Sequence, residues 1–161
     1  MKNLNTKKLC RAGVIAALYA GVTFAFSSLS YGPVQVRPAE ALTILPLFFI
    51  ESIPALFVGC LIANLLSPFG IMDIAVGSTV TLIAAILTYL LRKRPWLGFI
   101  PPIALNAAVL PLVWLVAAGD GAFWWNLFSI AITQTIFITG LGIPLYLCVK
   151  KLKTRGGVFS E

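Results

Sequence analysis

The chain is 161 residues long, 60% of them hydrophobic and 11% charged, with no histidine and a formal charge of +7. A water-soluble domain carries about a quarter charged residues, so most of this surface faces something other than water, and lipid is the matching solvent. Lack of histidine removes Ser–His and Cys–His catalysis, and the length fits one transmembrane domain over residues 1–161.

The positive charge marks orientation rather than a nucleic-acid face. All basic residues but Arg37 lie in three short clusters: Lys2, Lys7, Lys8 and Arg11; Arg92, Lys93 and Arg94; Lys150, Lys151, Lys153 and Arg155. Basic clusters between or beyond apolar runs are the pattern of cytoplasmic loops. Cys10, Cys60 and Cys148 have no paired spacing, so no metal or disulfide is expected and they read as small buried hydrophobes. No cofactor is implied.

The first span runs from about Leu9 to Leu29. Its basic start and the apolar run Ala12 to Phe26, followed by Ser27 and Ser28, also fit a signal peptide. The small residues favour a retained helix. Ala12, Ala16 and Ala20 recur every four residues, and Gly13, Ala17, Gly21 and Ala25 repeat beside them. Such spacing lets another helix approach closely in lipid, which suits either a partner subunit or packing within the chain.

The stretch from Ala39 to Ser67 is one long span or a pair of short ones. Glu51, Ser52 and Pro54 interrupt it, and a carboxylate at mid-membrane requires a partner. Parity decides. A single span would put the Arg92 cluster and the C-terminal cluster opposite the N-terminal one; two spans put all three on one side, as the positive-inside bias demands. The expected helices are 39–50 and 54–67. The first of these, carrying Pro46, would be only ~16 Å long as an α-helix over Ala39 to Phe49, too short for ~30 Å of hydrocarbon. Broken helices survive in membranes where neighbours or a polar cavity satisfy the freed backbone, so this element points to a site.

Three further spans follow, from about Asp73 to Leu91, Trp96 to Ala118 and Phe123 to Val149. The expected architecture is an all-α integral membrane protein of six transmembrane helices, with both ends in the cytoplasm.

On this layout the polar residues converge. Glu40 opens the second helix at the outer face, Asn64 lies near the outer end of the third, and Asp73 heads the fourth. Asn126 is one turn into the sixth, with Ser129 and Thr133 following at helical spacing, while Asn106 and Gln134 lie deeper. Each has a second role open to it. Asp73 suits a helix cap, Glu40 suits a surface pair with Arg37, and Asn106 and Gln134 suit interhelical hydrogen bonds. Trp114, Trp124 and Trp125 suit an aromatic belt. Together they suit a pocket for a flat, nitrogen-rich ligand. A carboxylate accepts paired N–H groups or meets an amine, side-chain amides read a heterocycle edge, and tryptophan stacks.

Tyr31 to Phe48 (YGPVQVRPAEALTILPLF) and Gly59 to Asp73 (GCLIANLLSPFGIMD) resemble the segments that characterise the QueT family. The resemblance implies an S-component, the substrate-binding subunit of an energy-coupling factor (ECF) transporter, in the plasma membrane of a bacterium. Its implied substrate is a queuosine precursor, a deazaguanine base. Its implied partners are a transmembrane coupling subunit and two cytoplasmic ATPase subunits, with lipid around it. Coupling contacts would map onto Ala12, Ala16 and Ala20, and a pocket lid onto Ser30 to Pro38. Glu40 and Asn64 are the ligand contacts the resemblance supports most directly; Arg37, Asp73, Asn106, Trp125, Asn126 and Gln134 complete the expected substrate site. An S-component for riboflavin or thiamine is the alternative. A stand-alone ion-coupled carrier fits less well, because no paired repeats are visible. An intramembrane enzyme has no catalytic constellation to use.

Overall fold

The computed structural model of the protein describes residues 6–30, 35–65, 67, 70–119 and 121–154. Lys2, Arg155 and the Tyr31–Val34 part of the expected lid lie outside them. Among the described residues the chain is helices and turns, without strands.

Helix α1 (Thr6–Ala25) and the single turn α2 (Ser27–Ser30) lead through an extended piece to a 3₁₀ helix, Pro38–Leu47. The expected break falls next. Residues 48–51 form a turn, and α3 (Ser52–Asn64) follows. The short turn α4 (Gly70–Met72) runs into a π-helical segment, Asp73–Gly77, and then α5 (Ser78–Leu90). Two 3₁₀ turns, Leu91–Lys93 and Pro95–Phe99, join it to α6 (Ile100–Ala118). The last span is α7 (Phe123–Gly140) and α8 (Gly142–Thr154). The joint between them precedes Pro144, whose missing N–H leaves the Gly140 carbonyl without its usual helical donor.

Among the described residues, four helical stretches are long and apolar enough to cross a membrane: Thr6–Ala25, Gly70–Lys93, Pro95–Val116 and Phe123–Thr154. Pro38–Leu47 and Ser52–Asn64 are shorter apolar helices. The first of these is 3₁₀ rather than the expected α-helix, and its ten residues reach about 20 Å at the 3₁₀ rise. The thirteen residues of α3 reach about the same length at the α rise. Neither covers ~30 Å of hydrocarbon alone.

The 3₁₀ helix is the buried axis of the bundle. Ala39, Glu40, Ala41, Thr43, Ile44, Leu45 and Pro46 are all buried, with α1, α3, α5, α7 and α8 packed around them. Apolar side chains on every side of this helix draw it inside the bundle and carry Glu40 and Thr43 in with it. One core joins Ile15 and Tyr19 of α1 to Ala39 and Leu45, to Ala55, Leu56, Cys60 and Ala63 of α3, and to Ala85 of α5. A second joins Ile44 to Phe99 and Ile138, and a third packs Ala107, Leu110 and Trp114 against Ile130. Outside, leucine, isoleucine and valine side chains stand exposed along α1, α5, α6 and α7. An apolar exterior of that extent is a lipid-facing one.

Described members of the basic clusters gather at one end of this bundle. Arg11 is ion-paired with Glu51 at 2.6 Å and lies over the Phe49 ring at 4.2 Å. Lys153 donates to the Phe48 carbonyl at 3.3 Å. Tyr146 contacts both Phe48 and Trp96, the latter just past Arg94. Glu51 therefore has the partner its position calls for.

Two sequence expectations change. Ala12 and Ala16 pack against the α1–α3 core and Ala20 is buried, so this row faces α3 inside the chain. A Cβ on Gly59 would lie 2.9 Å from the Ala16 carbonyl oxygen, which measures how close the two backbones come. The neighbouring row is the outward one: Ala17, Gly21 and Ala25 line a shallow groove of about 420 Å³ with Val14, Leu18 and Phe26. Nothing lies within 4 Å of a Cβ placed on Gly13 or Gly21. Of the cysteines, Cys60 is buried as expected, but Cys10 and Cys148 are exposed, since each falls on a lipid-facing side of its helix.

Candidate functional site

Opposite the basic end, the start of the 3₁₀ helix, the end of α3 and the π segment bring charged and amide side chains together inside apolar walls. Arg37, Glu40, Asn64, Asp73, Asn106 and Gln134 are each at most 6% exposed. Buried polar groups of this density demand partners, and the partners they have define the site.

Asp73 is fully buried. Its Oδ2 accepts a hydrogen bond from the Ser67 hydroxyl at 2.6 Å and lies 3.8 Å from the Arg37 guanidinium. It makes no capping bond at the head of a helix; it stands where the π segment begins. A π turn displaces the residues after it relative to α-helical spacing and recurs at functional sites. Asn64 donates from Nδ2 to the Asp73 backbone carbonyl at 3.1 Å, so α3 holds the segment in place. Gly77 supplies the room: a Cβ there would come within 2.9 Å of Asn64 Nδ2 and 3.5 Å of Asp73 Oδ1.

Glu40 is 1% exposed and accepts from the Tyr19 hydroxyl at 2.6 Å. It is not a surface residue, so the surface setting of its pairing with Arg37 falls, while the buried Arg37 charge still acts on it. Its depth follows from being one turn into a helix that is buried all round. The Asn106 amide lies close to the same carboxylate, but no hydrogen bond of normal geometry joins them.

Several atoms here have no hydrogen-bond partner in the protein. They include Glu40 Oε2, Asp73 Oδ1, Asn106 Nδ2 and Gln134 Oε1. Leaving such a group buried and unsatisfied costs about 1–3 kcal/mol each, a cost that native folds accept where a ligand supplies the missing partner. By contrast, threonines 23, 81 and 133 bond carbonyls of their own helices, which satisfies them locally.

The remaining expected residues divide. Asn126 and Gln134 lie on the buried face of α7 with Ile130, Thr133 and Ile138. Trp125 is 65% exposed, in an outer groove with Phe128 and Ile132, and is not brought to the cluster. Helical phase explains this, since Trp125 is one residue, about 100°, from Asn126. Trp124 is also exposed, whereas Trp114 is buried between α6 and α7. Sequence reasoning missed Tyr19, Ser67 and Gln35. Tyr19 carried a usable signal as the one large polar side chain within the Ala/Gly stretch of α1. Ser67 carried little, because its partner Asp73 is set by the turn between them.

Chemically the cluster holds two carboxylates, one guanidinium, a phenol and amides in a low-dielectric interior. Its charged groups carry one more negative than positive charge, and its free lone pairs lie mostly on carboxylates. That suits a small ligand rich in N–H groups. No metal-binding group of histidine, cysteine or acidic residues occurs among the described residues.

An apolar exterior around a buried polar cluster marks a multi-pass membrane protein. The chain belongs to the QueT transporter family, whose family model matches residues 9–151. Over 96 residues it is 38% identical to the queuosine precursor transporter QueT of Lactococcus lactis subsp. cremoris, an alignment covering 58% of this chain and 56% of that relative. No solved structure matches the chain.

Proposed function

We propose that the chain is the substrate-binding S-component of an ECF transporter and captures a queuosine precursor, a deazaguanine base, from outside a bacterial cell. The observation that carries this reading is the pair of buried carboxylates at Glu40 and Asp73, each with an oxygen that accepts no hydrogen bond in the protein. A deazaguanine base with an aminomethyl arm offers a cationic amine and several ring and exocyclic N–H groups. Those are the donors such oxygens accept. Arg37, Asn64, Asn106, Asn126 and Gln134 complete the set. The relative named as a queuosine precursor transporter supports the same substrate class.

In this reading the chain crosses the plasma membrane six times, with both ends and all three basic clusters in the cytoplasm. Ligand reaches the buried cluster from the outer side of the membrane. ATP hydrolysis belongs to two partner ATPases, and force reaches this subunit through a transmembrane coupling subunit.

Equilibrium binding to the purified protein in detergent tests the substrate. Tight binding of an aminomethyl deazaguanine, with no binding of riboflavin or thiamine, is the expected result. Tight binding of either vitamin instead would move the chain to another S-component specificity while keeping the architecture.

The register of α1 supports a coupling face on its outward row. Ala17, Gly21 and Ala25, lining the outward groove, take the docking role in place of Ala12, Ala16 and Ala20. Gly21→Leu is expected to block assembly with the coupling subunit, read by co-purification, and to leave ligand affinity within about twofold because the site is elsewhere. Intact assembly would return this row to lipid contact alone.

A further inference from the structure

We propose that Gln35 is a specificity-determining residue of this site, its side-chain amide reading the hydrogen-bonding edge of the bound heterocycle. The inference rests on the ligand reading given above and extends it to a residue outside the acidic cluster.

Gln35 is 4% exposed, and neither its Nε2 nor its Oε1 has a hydrogen-bond partner in the protein. A buried amide with both ends unsatisfied is destabilising, and a side chain serving only to fill that space would be apolar. Its direction is set by its neighbours. Val36 is pinned through both backbone groups, its N–H donating to the Leu29 carbonyl at 3.0 Å and its carbonyl accepting from Ser30 Oγ at 3.1 Å. Residues 35–37 are non-helical, and Arg37 has φ −114° and ψ 82°. Where a non-helical chain alternates, side chains two residues apart share a side. The burial pattern agrees: Gln35 and Arg37 are buried while Val36 between them is partly exposed. Arg37 meets Asp73, so Gln35 stands on the side of the chain that faces the cluster.

The chemistry of this amide differs from that of its neighbours. Glu40 and Asp73 accept from any N–H group and attract any cation, so they supply affinity with little discrimination. An amide presents a donor beside an acceptor and pairs fully only with an edge offering the complement in the right order. A base lacking one of those groups leaves the amide unsatisfied, and sites built this way reject such analogues strongly. Gln35 therefore selects among bases that the carboxylates alone would accept.

The test is a cycle of residue against ligand group, run on the full chain in detergent. The probes are an aminomethyl deazaguanine and two analogues, one lacking the exocyclic 2-amino group and one lacking the ring carbonyl oxygen. Wild-type protein is expected to lose at least about tenfold in affinity for one analogue. Gln35→Met is expected to bind the full base about 10- to 100-fold more weakly and to treat that analogue and the full base alike within about twofold. Both analogue penalties persisting in Gln35→Met, or unchanged affinity for the full base, would overturn the role of Gln35 alone. Wild-type protein that binds no deazaguanine overturns the substrate reading and this inference with it. Unfolding of the ligand-free proteins supplies a second readout. Gln35→Met should hold or raise the midpoint, whereas a fall of more than about 5 °C would show that the amide serves the fold.

Discussion

Glu40→Gln is expected to weaken binding of an aminomethyl deazaguanine by about 30-fold or more, equivalent to about 2 kcal/mol or greater for a buried, charge-assisted contact. The substitution is close to isosteric, and the new amide oxygen still accepts from the Tyr19 hydroxyl that now lies 2.6 Å from Glu40 Oε1. Fold and packing should therefore survive, and thermal unfolding of the ligand-free variant should match wild type within a few degrees. What disappears is the negative charge and the acceptor at Oε2, which has no partner in the protein. An uncharged deazaguanine should lose much less than the amine. Titration calorimetry on the two ligands separates these effects, and unchanged affinity for the amine would remove Glu40 from the site.

Gly59→Val carries the largest expected effect on the fold. The nearest atoms to a Cβ at this position are the Ala16 carbonyl oxygen at 2.9 Å, Tyr19 Cβ at 3.0 Å and Ala16 Cα at 3.2 Å. Two of the three are backbone, so no side-chain rotation relieves the contact and α1 has to move away from α3. Overpacking of a dense interior costs typically 1–3 kcal/mol and more when the backbone is the obstacle. Here the displacement also drags Tyr19 off Glu40, so ligand binding should fall along with stability. A marked drop in the unfolding midpoint in detergent is the expected readout. Gly13→Ala serves as the control: nothing lies within 4 Å of its added Cβ, and alanine suits a helix interior better than glycine. Equal midpoints for Gly59→Val and wild type would mean that α1 and α3 are not held together at this seam.

The two glycine substitutions also mark how far the sequence can be read. The every-fourth-residue spacing of small residues on α1 is plain, and it says that something packs closely there. Both rows satisfy that rule equally. Ala16 and Ala20 turned out to face α3 and the interior, while Ala17 and Gly21 face outward. Neighbouring residues on a helix differ by about 100° in direction, so choosing between rows needs the position of another helix, which spacing along one helix does not contain. Trp125 and Asn126 divide between lipid and interior for the same reason.

Residue by residue, the polar cluster was partly legible. Glu40, Asn64, Asp73, Asn106 and Gln134 stand out because polar groups in apolar runs are costly without partners, and all of them are buried. Their pairing was not legible. Asp73 joins Ser67 and Arg37, and Glu40 joins Tyr19; these contacts depend on a π turn, a 3₁₀ helix and an extended segment that no hydropathy pattern encodes. Gln35 escaped notice because a glutamine in a loop is unremarkable until burial strips it of water.

What the sequence by itself determined is the solvent and the break between Ala39 and Ser67. Apolar runs bounded by basic clusters call for lipid, and Glu51 with Pro54 requires a break between Ala39 and Ser67. Those properties are local, set by transfer energy and by the missing N–H of proline. What only the tertiary structure decided is the hydrogen-bonding form of the short helix, the face each helix turns inward, and the partner each buried charge receives. Those depend on which helices are neighbours, and in a bundle that is settled by close packing over many weak contacts between residues distant in sequence.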